Sequence, residues 1–362
     1  MNKVFIIAEA GVNHNGSIAM AKELIDLAHE AGASAVKFQT FNSKNVVSSS
    51  APKAAYQIEN TGNSESQLEM IKKLELSQDD HFELLNHCHK RNIQFLSTPF
   101  DINSAFFLVN KMGIKFLKIP SGEITNFPFL IKIAQFQLPI ILSTGMSTLG
   151  EIEDALRYLA FGYTQPKEKP TKKAVLENYI NVKSQRYIQK FISILHCTTE
   201  YPAKINEVNL KSIDTLASAF GTSVGLSDHT PGITIPIAAV ARGATIIEKH
   251  FTLDRNFEGP DHKASLEPEE LKMMITCIKQ VTQALGNSGK IPTKSEWKNR
   301  EVARRSLVAA REINKGDIWT IENLTCKRPG SGIAPSEYWN FIGKKANAQY
   351  KRDELLRNND DE

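Results

Sequence analysis

The sequence has little cysteine: Cys88, Cys197, Cys277 and Cys326 lie far apart and form no CxxC pair. That argues against a disulfide framework or a thiolate zinc site, and it fits a reducing, cytoplasmic compartment. Long hydrophobic runs are missing, and no stretch approaches the roughly eighteen apolar residues of a membrane span. The N-terminus runs straight into an apolar strand at Val4–Ala8, with no basic-then-apolar leader. Charge of neither sign is concentrated, since 44 basic and 40 acidic residues are spread along 362 positions for a net +4. Nucleic-acid binding therefore has no basic block to rest on, whereas a mildly basic chain suits small anionic substrates. The turn after the first strand, Glu9-Ala-Gly-Val-Asn-His-Asn-Gly16, is not the GxGxxG of a dinucleotide site.

What is present is a rhythm. Apolar runs at Val4–Ala8, Ala35–Thr40, Gln94–Ser97, Phe116–Ile119, Pro139–Ser143, Phe191–His196, Ser223–Ser227 and Thr245–Phe251 read as strands. Helical patterns separate them, such as Ile18–Ala31 with Met20, Leu24, Leu27, Ala28 and Ala31 on one face and Gly32 as the stop. Residues 43–75 hold no clean period and read as a long loop with short helical pieces. Gly162–Lys190, polar and lysine-rich, reads as a peripheral insertion. Eight strand–helix units within residues 1–286 predict a (β/α)8 TIM barrel of α/β class, with an open doubly wound sheet as the alternative. Residues 287–302 are rich in Ser, Gly, Pro and Lys and read as a linker. Residues 303–362 read as a small, mostly β domain with strand-like runs at Ser306–Ala309 and Trp319–Ile321, near the lower size limit for independent stability. The tail Arg357–Glu362 reads as frayed.

Barrel enzymes carry their chemistry at the C-terminal ends of the strands. Here every strand end supplies a polar group: Glu9; Lys37 and Gln39; Thr98; Lys118, Ser121 and Glu123; Ser143; Thr199 and Tyr201; Ser227 and His229; Glu248 and His250. Two imidazoles, His229 and His250, reaching one end of the barrel suit a divalent metal that accepts N and O ligands. A lone strand-end histidine is more often a hydrogen-bonded structural residue; the convergence of the other strands changes that balance. Lys37 and Lys118 sit inside apolar runs, where an unpaired ammonium is expensive, so they call for a phosphate or carboxylate, or else for a structural ion pair.

Several runs carry a resemblance. Ile7-Ala-Glu-Ala-Gly-Val-Asn-His-Asn-Gly16, Val36-Lys-Phe-Gln-Thr40, Ser97-Thr-Pro-Phe100, Lys118-Ile-Pro-Ser-Gly-Glu123, Leu142-Ser-Thr-Gly-Met146, His196-Cys-Thr-Thr-Glu-Tyr-Pro202, Leu226-Ser-Asp-His-Thr230, Ile247-Glu-Lys-His-Phe-Thr252 and Gly259-Pro-Asp-His262 resemble the sialic acid synthases, in order along nearly the whole chain. Ile313-Asn-Lys-Gly-Asp317 and Lys327-Arg-Pro-Gly-Ser-Gly332 look like the antifreeze-like (SAF) domain that ends those enzymes. One departure is Thr199, where some members have Asn.

The resemblance implies condensation of phosphoenolpyruvate with N-acetylmannosamine and water to give N-acetylneuraminate and phosphate. Its alternative is a legionaminate synthase acting on 2,4-diacetamido-2,4,6-trideoxy-mannose. It further implies Mn2+ or Mg2+ on His229 and His250, and phosphoenolpyruvate on Lys37 and Lys118 with Thr98, Ser121, Ser143 and Ser227. Glu9 or Glu123 would act at C2, Tyr201, Asp261 and Arg328 would bind the sugar, and Gln39 and Thr199 would contact substrate. The family's swapped homodimer implies that the small domain, with Arg328, caps the partner's barrel. Two other classes are distinguishable. A Schiff-base aldolase would be metal-independent and trapped by borohydride, and a non-catalytic carbohydrate-binding barrel would lack some of these charged strand ends.

Overall fold

The computed structural model describes residues 3–62 and 64–357. Of the tail expected to fray, residues 358–362 lie outside the described residues. The chain divides into two compact units, Met1–Gly286 and Asn287–Glu362.

Eight strands build the first unit: β1 (Phe5–Gly11), β2 (Ala35–Thr40), β3 (Gln94–Pro99), β4 (Leu117–Ile119), β5 (Ile140–Ser143), β6 (Ile192–Cys197), β7 (Ser223–Asp228) and β8 (Ile246–His250). Hydrogen-bonded neighbours follow the order β3-β2-β1-β8-β7-β6-β5-β4, every pair is parallel, and β3 lies beside β4. Neighbours thus run in sequence order around a ring, which is a (β/α)8 barrel rather than an open doubly wound sheet. Amphipathic helices cover its outside. Ile18–Ala31 buries Ala21, Leu24, Ile25, Ala28 and Ala31; the Ser17 hydroxyl accepts from the Met20 N–H, and Gly32 ends the helix at φ 84°. No helix among the described residues is long and apolar enough to cross a membrane.

The two-residue period of the strands stacks the barrel interior in layers. Ile7, Ala35, Leu96, Ile141, Leu195 and Ile246 form a small buried apolar cluster of their own. Two positions further along the same strands stand Glu9, Lys37, Thr98, Ser143, Cys197 and Glu248, all buried. The apolar layer closes the barrel floor, and the next layer holds the charge.

Three expectations are corrected. Gly162–Lys190 is not wholly peripheral to the core: one helix runs through Thr164, Lys172–Tyr179 and Val182–Phe191 follow as helices packed on it, and Tyr163 and Ile188 join the main buried apolar cluster. Tyr163, Tyr187 and Phe191 stack on one another there, with ring centroids 5.3–5.7 Å apart. The segment expected as a linker contains a helix, Lys294–Ala303, started by a capping box between Thr293 and Glu296. In the second unit the antiparallel pair is β9 (Ser306–Ala309) and β10 (Leu324–Lys327), not Trp319–Ile321. Trp319 is instead a buried core residue, packed with Tyr350, Leu307, Phe341 and Leu356.

Candidate active site

Register brings the charged layer together. Glu9 stands opposite Lys37 on β2 and opposite His250 on β8, and Glu248 stands opposite Ser227 on β7. The Lys37 ammonium is ion-paired with Glu9, lies 3.6 Å from Glu248 Oε2, and donates to Thr98 Oγ1 at 2.9 Å. Lys118 Nζ is 3.2 Å from Glu248 Oε1, which also accepts from Ser227 Oγ at 2.8 Å. The two strand-end lysines therefore have carboxylate partners inside the cavity. Glu248, which sequence reasoning left without a role, is the counter-ion they share. The signal was available, because Glu248 lies two residues before His250 and so on the same strand face.

The two glutamates titrate in opposite directions. Burial raises Glu9 to about 7, with Lys37 pulling the other way. Burial would raise Glu248 as well, but Lys118, Lys37 and the Ser227 hydroxyl hold it well below the usual carboxylate range. Burial would lower Lys37, and the carboxylates of Glu248 and Glu9 outweigh it, so its pKa is raised. At neutral pH the centre thus holds one firm carboxylate and one carboxyl poised to gain or lose a proton.

The imidazoles are neutral. His229 Nδ1 donates to the Thr198 carbonyl at 2.6 Å, which leaves Nε2 as a lone pair 3.4 Å from Ser227 Oγ. Burial lowers His229 to about 4, and burial together with His229 pushes His250 well below its ordinary value. His250 Nδ1 is buried, makes no hydrogen bond among the described residues, and lies 4.0 Å from Asp261 Oδ2. Burial raises Asp261 to about 6, with Lys37 lowering it. The rings are 5.6 Å apart, and Tyr201 stacks on His229 at 4.1 Å and meets His250 edge-on at 5.6 Å. Gly11 makes this approach possible: at φ 53° a Cβ there would stand 3.2 Å from Glu9 Oε1 and 3.3 Å from the His250 ring.

Further round the cavity, Ser121 Oγ accepts the Gly145 N–H at 2.9 Å and contacts Cys197 Sγ at 3.1 Å. A Cβ on Gly145 would fall 2.1 Å from Thr199 Oγ1, so this approach needs glycine. Ser143 Oγ and Thr199 Oγ1 are buried without hydrogen-bond partners among the described residues. Two lysines and the five hydroxyls of Thr98, Ser121, Ser143, Thr199 and Ser227, lining one cavity, form a cradle for an oxyanion. Gln39 lines this cavity and the outer one next to it; Asp261 lines the outer one only. One expected residue stands elsewhere. The Glu123 carboxylate accepts from Asn126 Nδ2 at 2.7 Å, and Glu123 is not among the cavity-lining residues, unlike Ser121 and Gly122 beside it. Arg328 belongs to the second unit, where it is exposed and its Nε donates to the Ala303 carbonyl at 3.0 Å.

No cluster of three or more His, Cys, Asp and Glu able to hold a metal occurs among the described residues. A cation between His229 and His250 would therefore rest on two nitrogens plus oxygens from substrate and water. The donor set fits such an ion: both imidazoles are neutral, and the Thr198 carbonyl fixes the His229 tautomer with Nε2 free to ligate.

Fold and cavity together define a parallel (β/α)8 barrel with an oxyanion cradle and two neutral imidazoles at its strand ends, followed by a small separate unit. The chain belongs to the NeuB family, whose model matches residues 24–290, and a SAF domain matches residues 304–360. It is 53% identical over 357 residues to N,N'-diacetyllegionaminic acid synthase of Campylobacter jejuni, covering 99% of this chain and 100% of that one. To the enzyme of the same name from Legionella pneumophila it is 45% identical, covering 94% and 90%. Human N-acetylneuraminate-9-phosphate synthase is 31% identical, covering 97% and 91%. Among solved structures, an N-acetylneuraminic acid synthetase from Leptospira borgpetersenii matches with a TM-score of 0.66 at 34% identity, covering 82% and 90%.

Proposed function

We propose that the protein condenses phosphoenolpyruvate with 2,4-diacetamido-2,4,6-trideoxy-mannose and water, releasing phosphate and a nine-carbon 2-keto acid of the legionaminate type. The observation that carries the choice of sugar is the 53% identity across 99% of the chain to a diacetyllegionaminic acid synthase, against 31% to the human N-acetylneuraminate-9-phosphate synthase. N-acetylmannosamine, the first expectation from sequence, gives way to the alternative stated beside it.

The residues suit each part of that reaction. Lys37 and Lys118, with Thr98, Ser121, Ser143, Thr199 and Ser227, would bind the carboxylate and phosphate of phosphoenolpyruvate. Those anions would compete with Glu248 and Glu9 for the ammonium groups. Glu9 can answer by taking a proton, because burial has already raised it to about 7. The new bond joins C3 of the enol to the aldehyde carbon; water adds at C2, and phosphate leaves from C2. Glu9, the cavity carboxyl whose pKa is raised, would hold or release the water's proton. His229 and His250 would hold Mn2+ or Mg2+, which when bound supplies Lewis-acid polarisation of the aldehyde oxygen. Gln39, Tyr201 and Asp261 would orient the sugar, and bringing the two carbons into contact is the entropic share of the catalysis.

Phosphate release from phosphoenolpyruvate, measured with each sugar and with or without chelator, tests this reading. The diacetamido sugar should exceed N-acetylmannosamine by about tenfold or more in kcat/KM, a difference of the size pocket contacts supply. Chelation should abolish release, and added metal should restore it. Equal use of the two sugars would overturn the sugar assignment, no release with either would overturn the condensation, and indifference to chelator would overturn the metal.

The assembly proposal follows the family resemblance: a domain-swapped homodimer in which Arg328 serves the partner's barrel. Mixing inactive His250→Ala with inactive Arg328→Ala subunits should then restore up to one working site in two. No recovery after confirmed subunit exchange would overturn it.

A further inference from the structure

Beside the charged cavity lies a second one of different character. The inner cavity, about 120 Å³, holds the lysines, glutamates and hydroxyls. The outer one is larger, about 190 Å³, and shares Gln39, Tyr201 and His250 with the inner. Its far wall comes from residues 43–75, the segment between β2 and the helix Gln78–Arg91, expected from sequence as a long loop with short helical pieces. The wall consists of Val46, Val47, Met70, Ile71 and Leu74. The polar side chains that the segment adds to the lining, Tyr56, Gln57 and Gln67, are all uncharged.

The segment is fastened over the site. The Tyr56 ring lies 5.1 Å from that of Tyr201, which in turn stacks on His229. Asn60 Nδ2 donates to the Pro260 carbonyl at 2.8 Å, tying the helix Ala55–Thr61 to the loop that carries Asp261. Gln67 Nε2 reaches Gln57 Oε1 at 3.4 Å, joining the segment's second and third helices. Met70 and Leu74 are buried, so the wall belongs to the packed structure.

We propose that this wall, Val46, Val47, Met70, Ile71 and Leu74, reads the C6 end of the sugar as a methyl group and disfavours a hydroxymethyl there, while Gln57 and Gln67 face the amide at C4. The proposal rests on the condensation reading above. The aldehyde carbon must lie in the inner cavity, beside the imidazoles and the lysines, so the rest of the sugar chain must extend through the shared residues into the outer cavity. A primary hydroxyl brought against Val, Ile, Leu and Met side chains loses its water and gains no partner, which is unfavourable. A methyl group in the same place gains apolar contact. A neutral amide can both donate to and accept from a glutamine side chain, and no charged group of the segment lines the cavity to compete.

The test uses a matched pair of sugars that differ at one atom: 2,4-diacetamido-2,4,6-trideoxy-mannose and its 6-hydroxy counterpart. Phosphate release gives kcat/KM for each, and their ratio within one preparation does not depend on the folded fraction. Wild type should favour the 6-deoxy sugar by about tenfold to a hundredfold, the range in which an apolar pocket rejects an added hydroxyl. Ile71→Ser and Val47→Ser each supply a hydroxyl partner and should narrow the ratio about tenfold, whereas Leu176→Ser, at an exposed position on the helix Lys172–Tyr179, should leave it unchanged. If wild type prefers the diacetamido sugar to N-acetylmannosamine but does not discriminate the matched pair, the wall is overturned and the condensation reading stands. The wall is likewise overturned, and the condensation reading kept, if wild type discriminates and neither serine variant shifts the ratio. If wild type prefers N-acetylmannosamine, the sugar assignment falls and takes the wall with it.

Discussion

Glu248 and Lys249 are consecutive residues on β8, both buried, and they point to opposite faces of the strand. Lys249, on the outer face, is ion-paired to Asp228 Oδ2 at 2.6 Å and bonds the Thr230 carbonyl, while Asp228 also accepts from the Thr230 N–H and hydroxyl. That charge is fully partnered within a closed set, and the set braces the turn that carries His229. On the inner face, Glu248 pairs with two lysines, one of which, Lys37, it shares with Glu9, and the hydroxyls of Ser143 and Thr199 stand nearby without partners among the described residues. One strand thus carries a charge pair that is complete and a charge cluster that is not. Burial alone does not mark a functional charge; incompleteness around a cavity does.

Removing one lysine from each face would sharpen or break this contrast. Lys249→Met leaves Asp228 as an uncompensated buried carboxylate, which should cost about 3–5 kcal/mol in unfolding free energy. Lys118→Met leaves Glu248 with Lys37 and the Ser227 hydroxyl, so its cost should be smaller, about 1–2 kcal/mol. Its KM for phosphoenolpyruvate should nevertheless rise tenfold or more. From sequence alone, an ammonium awaiting its ligand would be unpaired, and its removal would leave the melting temperature unchanged or higher. The pairing with Glu248 reverses the sign of that expectation. Chemical denaturation of both variants, with substrate kinetics for Lys118→Met, is the measurement. Equal destabilisation by the two, with a normal KM in Lys118→Met, would make the inner cluster as structural as the outer pair.

Much of the barrel was legible because its signals are local. A strand buried on both faces reads as an apolar run, and a polar residue at its end is visible in one short window, as in Leu226-Ser-Asp-His229. Pairing was not legible. Glu9 meets Lys37 and His250 only because β1 lies between β2 and β8, and ring closure joins residues more than two hundred positions apart. The inserted helices hid for another reason. Lys172–Tyr179 buries only Val175 and Val182–Phe191 only Ser184 and Ile188, so few apolar residues mark them against their polar and lysine-rich surroundings. In the second unit, Trp319–Ile321 has β-prone composition, but Trp319 fills the core while Ile321 is exposed. Residues 43–75 showed no clean period because apolar side chains from several short pieces line a cavity rather than one long helix face.

The last expected effect concerns the proton on Glu9, and it separates the two glutamates of the inner face. Burial raises Glu9 from 4.5 to about 7, so between those pH values the folded protein holds a proton that the unfolded chain has released. Stability from this group therefore falls as pH rises through that window, since the folded state binds more protons there. Glu248 acts in the opposite sense: its folded pKa is depressed, so its contribution is present above the unfolded value near 4.5 and lost as the pH falls below it. His229, lowered to about 4, also favours the folded state as pH rises, between about 4 and 6.5, and would mask Glu9 in wild type alone. The comparison is therefore Glu9→Gln minus wild type, in which Glu248 and His229 largely cancel. Gln keeps the shape without the titration, and the loss of the bond to Lys37 enters as an offset. The difference in unfolding free energy should rise from pH 4.5 to 7 in favour of the variant and level off above, gaining up to about 3 kcal/mol at about 1.4 kcal/mol for each step of one in pH. A flat difference across that window would show that Glu9 is ionised throughout, a permanent partner of Lys37 like Asp228 to Lys249, and would remove it as the proton carrier.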